Sequence, residues 1–171
     1  MSEIHVITDV INQLSNSFIF HRHVGGKHFS AKQLQIDFVI KPIDCSNWKN
    51  KKICFGLEFK DMPNLNQKGD TTDFTKWLAQ CVDYSNTNWD NYGYIYILTC
   101  PGITSSVFMN KVDSSSLLTR VLGHLGIGEL KLLKTYGWTI TLHGDHRIWS
   151  QKKGVETPGK MWNLERVFGS R

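Results

Sequence analysis

Long apolar runs are missing from this chain of 171 residues, and with them any membrane span, which needs roughly 20 consecutive apolar residues. The N-terminus lacks the basic start and apolar core of a secretory signal, so the protein is expected to be soluble, intracellular and cytoplasmic. No CxxC pair occurs. Cys45, Cys54, Cys81 and Cys100 lie 9, 27 and 19 residues apart, which suggests neither a zinc knuckle nor a disulfide scaffold, and they read as reduced thiols filling core space. Internal repeats and low-complexity tracts are absent too. So are a GxSxG elbow, a GxxxxGK[ST] loop and a GxGxxG turn after a strand, which disfavours triad hydrolysis and nucleotide-driven or dinucleotide chemistry. Alanine is scarce beside Asn and Lys, a composition that suits an AT-rich phage or mobile element.

What is present suits one domain spanning 1–171: 40% hydrophobic content with six Trp and nine Phe supports one core, and the length is too short for two. A formal net charge of +5 and a pI near 9.0 favour a polyanionic partner. The cations gather at Lys49 to Lys52, at Lys152 with Lys153, and at Arg166 with Arg171, interleaved with Trp48, Trp149 and Trp162. That mixture suits the phosphates and bases of nucleic acid, the alternative being ordinary solvated surface.

Along the chain, Ile4, Ile7, Val10, Ile11 and Leu14 recur at helical spacing and predict a first helix over 3–14. A strand over 17–24 is bounded by a turn at Gly25-Gly26. Strands over 34–40, stopped by Pro42, and over 52–60 could form a hairpin around a polar turn at 44–50. Asp70, Thr71 and Thr72 supply N-cap candidates for a second helix running to about Tyr84. GYIYILTC, 93–100, reads as a strand buried on both faces and closed by Pro101-Gly102. A third helix over 114–125, a strand over 137–143 and a polar, basic tail with a short helix near Trp162 complete the order. The fold class is α/β: a mixed central sheet flanked by helices, with a core over about 3–100 and a C-terminal extension, 101–171, expected to complete the sheet and able to contact DNA.

Polar residues break the apolar strands in a pattern. Alternation places Gln35, Asp37 and Val39 on one face of the second strand, and Glu58 with Lys60 on one face of the third. Pairing of these strands would bring two carboxylates and one ammonium together. Two acids so close repel unless a cation lies between them, and hard oxygen donors favour Mg²⁺ or Mn²⁺. Lys60 would orient water or neutralise charge on a phosphorane. Gln80 and Tyr84, four residues apart, share a helix face over the same sheet edge. Glu3 heads the apolar stripe of the first helix, where it is either a further metal ligand or a favourable charge at its own helix N-terminus. A second acid-x-Lys triplet, Glu129-Leu130-Lys131, follows a Gly-broken helical pattern and reads as a surface charge pair.

Asp37, then Glu58-Phe59-Lys60, then Gln80-x-x-x-Tyr84, in the order α-β-β-β-α-β, resembles the PD-(D/E)XK nuclease superfamily, closest to its RecB and lambda-exonuclease branch. The resemblance covers about residues 3 to 100, with Ile36 where the eponymous proline often stands. It implies that Asp37, Glu58 and the Phe59 carbonyl bind catalytic Mg²⁺ or Mn²⁺, that Lys60 positions the attacking water, that Gln80 and Tyr84 support the site or contact DNA, and that Glu3 matches the acid of the first helix. The implied activity is metal-dependent hydrolysis of DNA phosphodiesters, read first as an endonuclease of a phage or mobile element, with an exonuclease still open and the oligomeric state open too, a homodimer included.

Competing features have simpler readings. His21, Arg22, His23 and His28 read as a polar strand end and turn. His143, Asp145 and His146 fall in a turn at Gly144, as a phosphate-contacting or merely exposed loop. The rival function is a nuclease-derived, non-catalytic DNA-binding subunit of a replication, recombination or restriction assembly. A third reading is an α/β domain whose charges only keep it soluble.

Overall fold

A computed structural model describes residues 3–60, 71–102, 115–144 and 146–167. Chain order begins with α1 (Glu3–Leu14), β1 (Phe18–His28), β2 (Gln33–Pro42), β3 (Phe55–Phe59), α2 (Thr71–Ser85), β4 (Thr87–Trp89) and β5 (Tyr96–Cys100). It continues with α3 (Ser115–His124), β6 (Ile127–Leu133), β7 (Gly137–Leu142), β8 (His146–Ser150), β9 (Gly154–Val155) and α4 (Thr157–Met161). The fold is mixed α/β. All the strands join one sheet in the order β4-β1-β2-β3-β5-β6-β7-β8-β9.

The connections explain the pairing. Loops leave β1-β2-β3 and β6-β7-β8-β9 antiparallel, whereas α2 and α3 carry the chain back so that β3-β5 and β5-β6 run parallel. The central strand β5 is buried at every residue, as its apolar run predicts. Among the described residues no helix is long and apolar enough to cross a membrane.

Two apolar clusters cover the two faces of the sheet. Val10 and Leu14 bring α1 onto Phe38, Leu57, Phe59, Leu130 and Ile140 on one face. Trp77, Cys81 and Tyr84 of α2, with Leu122 of α3, cover Val39, Ile97 and Ile127 on the other. Trp48 and Trp149 are only 2% and 6% exposed within the first cluster, so neither can stack on a nucleic-acid base from outside. Basic neighbours suggested surface, but an indole next to a lysine can turn inward while the ammonium stays in water.

Glycines account for two differences from the sequence reading. The expected turn at Gly25-Gly26 is instead continuous strand, with Gly26 opposite both Leu34 and Trp89. There β4 approaches so closely that a Cβ on Gly26 would stand 2.6 Å from the Trp89 ring, so glycine serves close approach and not a turn. Likewise Gly128 does not break a helix but lies inside β6, where a Cβ would meet Leu142 at 2.2 Å and the Thr141 carbonyl at 2.6 Å. The short strands β4, β8 and β9 fall where no strand was expected. Asp70, offered as an N-cap, and Arg171 lie outside the described residues, while Thr71 opens α2.

Gly128→Ala should therefore cost about 1–3 kcal/mol through overpacking against backbone, read as a lower urea midpoint at unchanged slope. The thiols give a second expectation. Burial pushes Cys54 up to about 11 and Cys100 up to about 12, and it raises Cys81 further, so at neutral pH these remain protonated and unreactive. Cys45 is the least buried of the four. Titration of the native protein with an aromatic disulfide reagent should modify Cys45 quickly and the other three only on unfolding.

Candidate active site: two carboxylates under an amide bridge

The alternation of β2 fails at the residue that matters most. Leu34, Ile36 and Val39 all pack toward α2, while Phe38 and Ile40 pack toward α1, so the strand turns over between Ile36 and Phe38. Leu34 and Ile36 thus lie on the α2 side, not on the face with Phe38 and Ile40 that strict alternation predicts. The cause lies across the ladder. β1 pairs Arg22 with Phe38 and Val24 with Ile36, but His23, between them, has φ of 52° and no registered partner. A left-handed residue in one strand disturbs the pleat of its neighbour, and Asp37 is that neighbour.

Freed from the ladder, Asp37 turns its carboxylate toward β3, where Oδ2 accepts the Phe59 N–H at 3.0 Å. The registered pairing of β2 with β3 ends at Phe38 opposite Leu57, so the next position sets Asp37 opposite Glu58. Glu58 is 7% exposed and faces α2. From α2, the Gln80 amide donates to Glu58 Oε1 at 2.9 Å and to the Tyr84 hydroxyl at 2.7 Å. The Tyr84 hydroxyl in turn donates to the Gln35 carbonyl at 2.9 Å. Four residues of helix thus span from β3 to β2, as the shared helix face of Gln80 and Tyr84 requires.

Electrostatics agree with this geometry. Burial first, then the charges of Glu58 and Asp37, push the Tyr84 phenol up to about 12 against the lowering effect of the Gln80 bond. Both carboxylates are therefore close enough to act on one hydroxyl, which keeps its proton at neutral pH and stays a donor. Lys60 follows β3 directly: its N–H donates to the Cys100 carbonyl at 3.0 Å, and its half-buried side chain forms no ion pair with a described residue. Phe59 points the other way, with its ring edge-on to Phe38.

Asp37, Glu58, Lys60, Gln80 and Tyr84 are thus gathered at the carboxyl end of β3. Glu3 opens α1, but its side chain lies outside the described set. Among the described residues no group of three or more His, Cys, Asp or Glu side chains is placed to share a metal ion. The donor set that is present, two converging carboxylates, consists of hard oxygens of the kind Mg²⁺ and Mn²⁺ take.

One part of the neighbourhood escaped the sequence reading. Glu129 is 3% exposed in the interior strand β6, where it accepts from Lys131 Nζ at 3.0 Å and from Thr141 at 3.3 Å, so the acid is buried, its lysine half-buried, and the pair is not a surface one. Gly126 and Gly128 had suggested a broken helix, but the alternation of IGELKLL is a strand signal. Register carries Glu58 to Thr99, Thr99 to Glu129 and Glu129 to Thr141, a buried polar row on one sheet face. Two strand spacings put the two glutamates about 10 Å apart.

The histidines divide. His28, 6% exposed, bonds Ser30 at 2.8 Å, while His21 and His23 are exposed. His143 and His146 both pack edge-on to Trp162, and His143 Nε2 meets the Tyr96 hydroxyl at 3.2 Å. Burial lowers the His143 pKa, helped by its neighbours His124, His146 and Arg166. Asp145 lies outside the described residues.

Searches against protein-family models, curated proteins and solved structures found no match for this chain.

The bridge can be measured. Gln80→Met and Tyr84→Phe should each cost about 1–2 kcal/mol, because each removes hydrogen bonds from the part-buried bridge. The double variant should lose at least 0.5 kcal/mol less than the sum, a margin of the order found for residues sharing one network, as read by urea unfolding.

Proposed function

We propose that this protein is a metal-dependent deoxyribonuclease with a restriction-endonuclease-like core formed by α1, β1, β2, β3, α2 and β5. The observation that carries the reading is the convergence of Asp37 and Glu58 at the end of β3 beneath the Gln80-Tyr84 bridge, with Lys60 two residues beyond Glu58. Sequence neighbours could share such a cluster by chance. Here the residues come from three elements as far apart as 49 positions, the span of the Tyr84 to Gln35 bond.

Asp37 and Glu58 would hold Mg²⁺ or Mn²⁺, each carboxylate pre-oriented by one fixed hydrogen bond. When bound, the ion supplies a Lewis acid for a phosphodiester oxygen and lowers the pKa of water. The chain's own residues do the rest. Lys60 provides a cation with no protein partner among the described residues, suited to orient water and to stabilise charge on the phosphorane. The Gln80 amide fixes the Glu58 carboxylate, and the neutral Tyr84 hydroxyl fixes Gln80. β4, inserted between α2 and β5, is an addition to the α-β-β-β-α-β order.

Supercoiled plasmid, circular single-stranded DNA and linear duplex incubated with Mg²⁺ or Mn²⁺ should show cleavage that EDTA abolishes and either ion restores. Lys60→Ala should retain DNA affinity and melting temperature while cleavage falls roughly 10²–10³-fold, the usual loss for one transition-state charge. Cutting of closed circles identifies an endonuclease. Unchanged cleavage in Lys60→Ala overturns the assignment of Lys60. Binding without cleavage of any form assigns the fold to the non-catalytic DNA-binding subunit.

A further inference from the structure

A cleft lies at the opposite end of the sheet from the carboxylates. It has a volume of about 500 Å³ and opens between the residues entering β3 and β5 and the segment following α4. Cys54, at its wall, and Glu58 are four residues apart, or about 13 Å of strand, so the two sites do not overlap.

The lining has a definite chemistry. Lys52 and Arg166 bring two cations, Tyr92 and Tyr94 bring two aromatic rings, and Asn50 brings an amide. Glu165 is the single acid among them. Arg166 is the unusual member: its guanidinium stands over the Tyr96 ring at 5.5 Å, and its Nη2 reaches only the Ser85 carbonyl, at 3.4 Å. A Cβ on Gly126 would collide with it, so glycine makes the space in which it lies. Burial lowers the Arg166 pKa, and no described carboxylate within ion-pair distance offsets that cost. A half-buried guanidinium beside an open cleft is most readily compensated by an anion from outside.

Nothing in the lining is equipped for chemistry. Burial holds the Cys54 thiol protonated, up to about 11, and the one acid has no histidine or second acid beside it in the cleft. The volume falls in the range of small-molecule sites, and the mixture of rings, cations and one acid fits a ligand that combines a flat base, a phosphate and a diol.

We propose that this cleft binds a ribonucleoside monophosphate, with the phosphate at Lys52 and Arg166, the base against Tyr92 and Tyr94, and the ribose hydroxyls donating to Glu165. The site is independent of the nuclease reading. Calorimetric titration of the full chain with AMP, adenosine and inorganic phosphate tests it directly. AMP should saturate one site, with adenosine and phosphate each weaker by at least about tenfold, the worth of one charge-assisted contact. Lys52→Ala, an exposed change, and Arg166→Met should each weaken AMP by about tenfold or more at unchanged melting temperature, while Lys153→Ala and Glu58→Gln should not. The proposal is overturned if AMP fails to saturate, if Lys52→Ala and Arg166→Met both bind like the parent, or if phosphate alone binds as well as AMP. Loss of AMP binding in Glu58→Gln would overturn the separation of the two sites.

Discussion

A single substituted hydrogen bond governs the polar end of this sheet: the Phe59 N–H, which an unbroken ladder would give to a backbone carbonyl of β2, goes to the Asp37 carboxylate. That exchange is possible because His23, at φ of 52°, interrupts β1 beside Asp37. A non-glycine residue in this region costs of order 1–3 kcal/mol, and surrounding structure must hold it there. The pairs on either side of His23 do so, since both keep ladder register. The result is a carboxylate held against β3, next to one that α2 holds from above.

Much of this was legible because it is local. An amphipathic stripe marks α1 without reference to anything distant, and its ends match the 3–14 reading. A four-residue spacing on a helix makes Gln80 and Tyr84 neighbours wherever that helix lies, and a period of two makes Glu58 and Lys60 neighbours in any extended chain. What was illegible depends on contacts far along the chain. Gly26 and Gly128 look like breakers until β4 and β7 are laid beside them, and only that contact shows the missing side chain to be a matter of room. Trp48 and Trp149 look like surface residues until the far sheet face is assembled around them. The left-handed His23 had no signal of its own, and so neither did the turn-over of β2.

The row Glu58, Thr99, Glu129, Thr141 changes how the central strands should be viewed. Central parallel strands ordinarily show apolar faces to their helices, yet here a line of oxygens crosses four interior strands in register. Each is buried, from 0% exposure at Thr99 to 7% at Glu58. Thr99 bonds the Gly128 carbonyl and Thr141 bonds Glu129, so the row is stitched to itself as well as to Lys131 and Gln80. In a medium of low polarisability, charges on such a row influence one another farther than they would in water.

Gln13, near the end of α1, accepts from the Trp138 indole and, through its carbonyl, from the Gln151 amide, links that span 125 and 138 positions. Some partners of the first helix therefore lie more than a hundred residues further along the chain. During synthesis α1 emerges with its apolar stripe uncovered and completes its docking only once β7 and the turn after β8 exist, so the nascent chain carries an adhesive flank through the making of most of the sheet, and closure of the domain is a long-loop event.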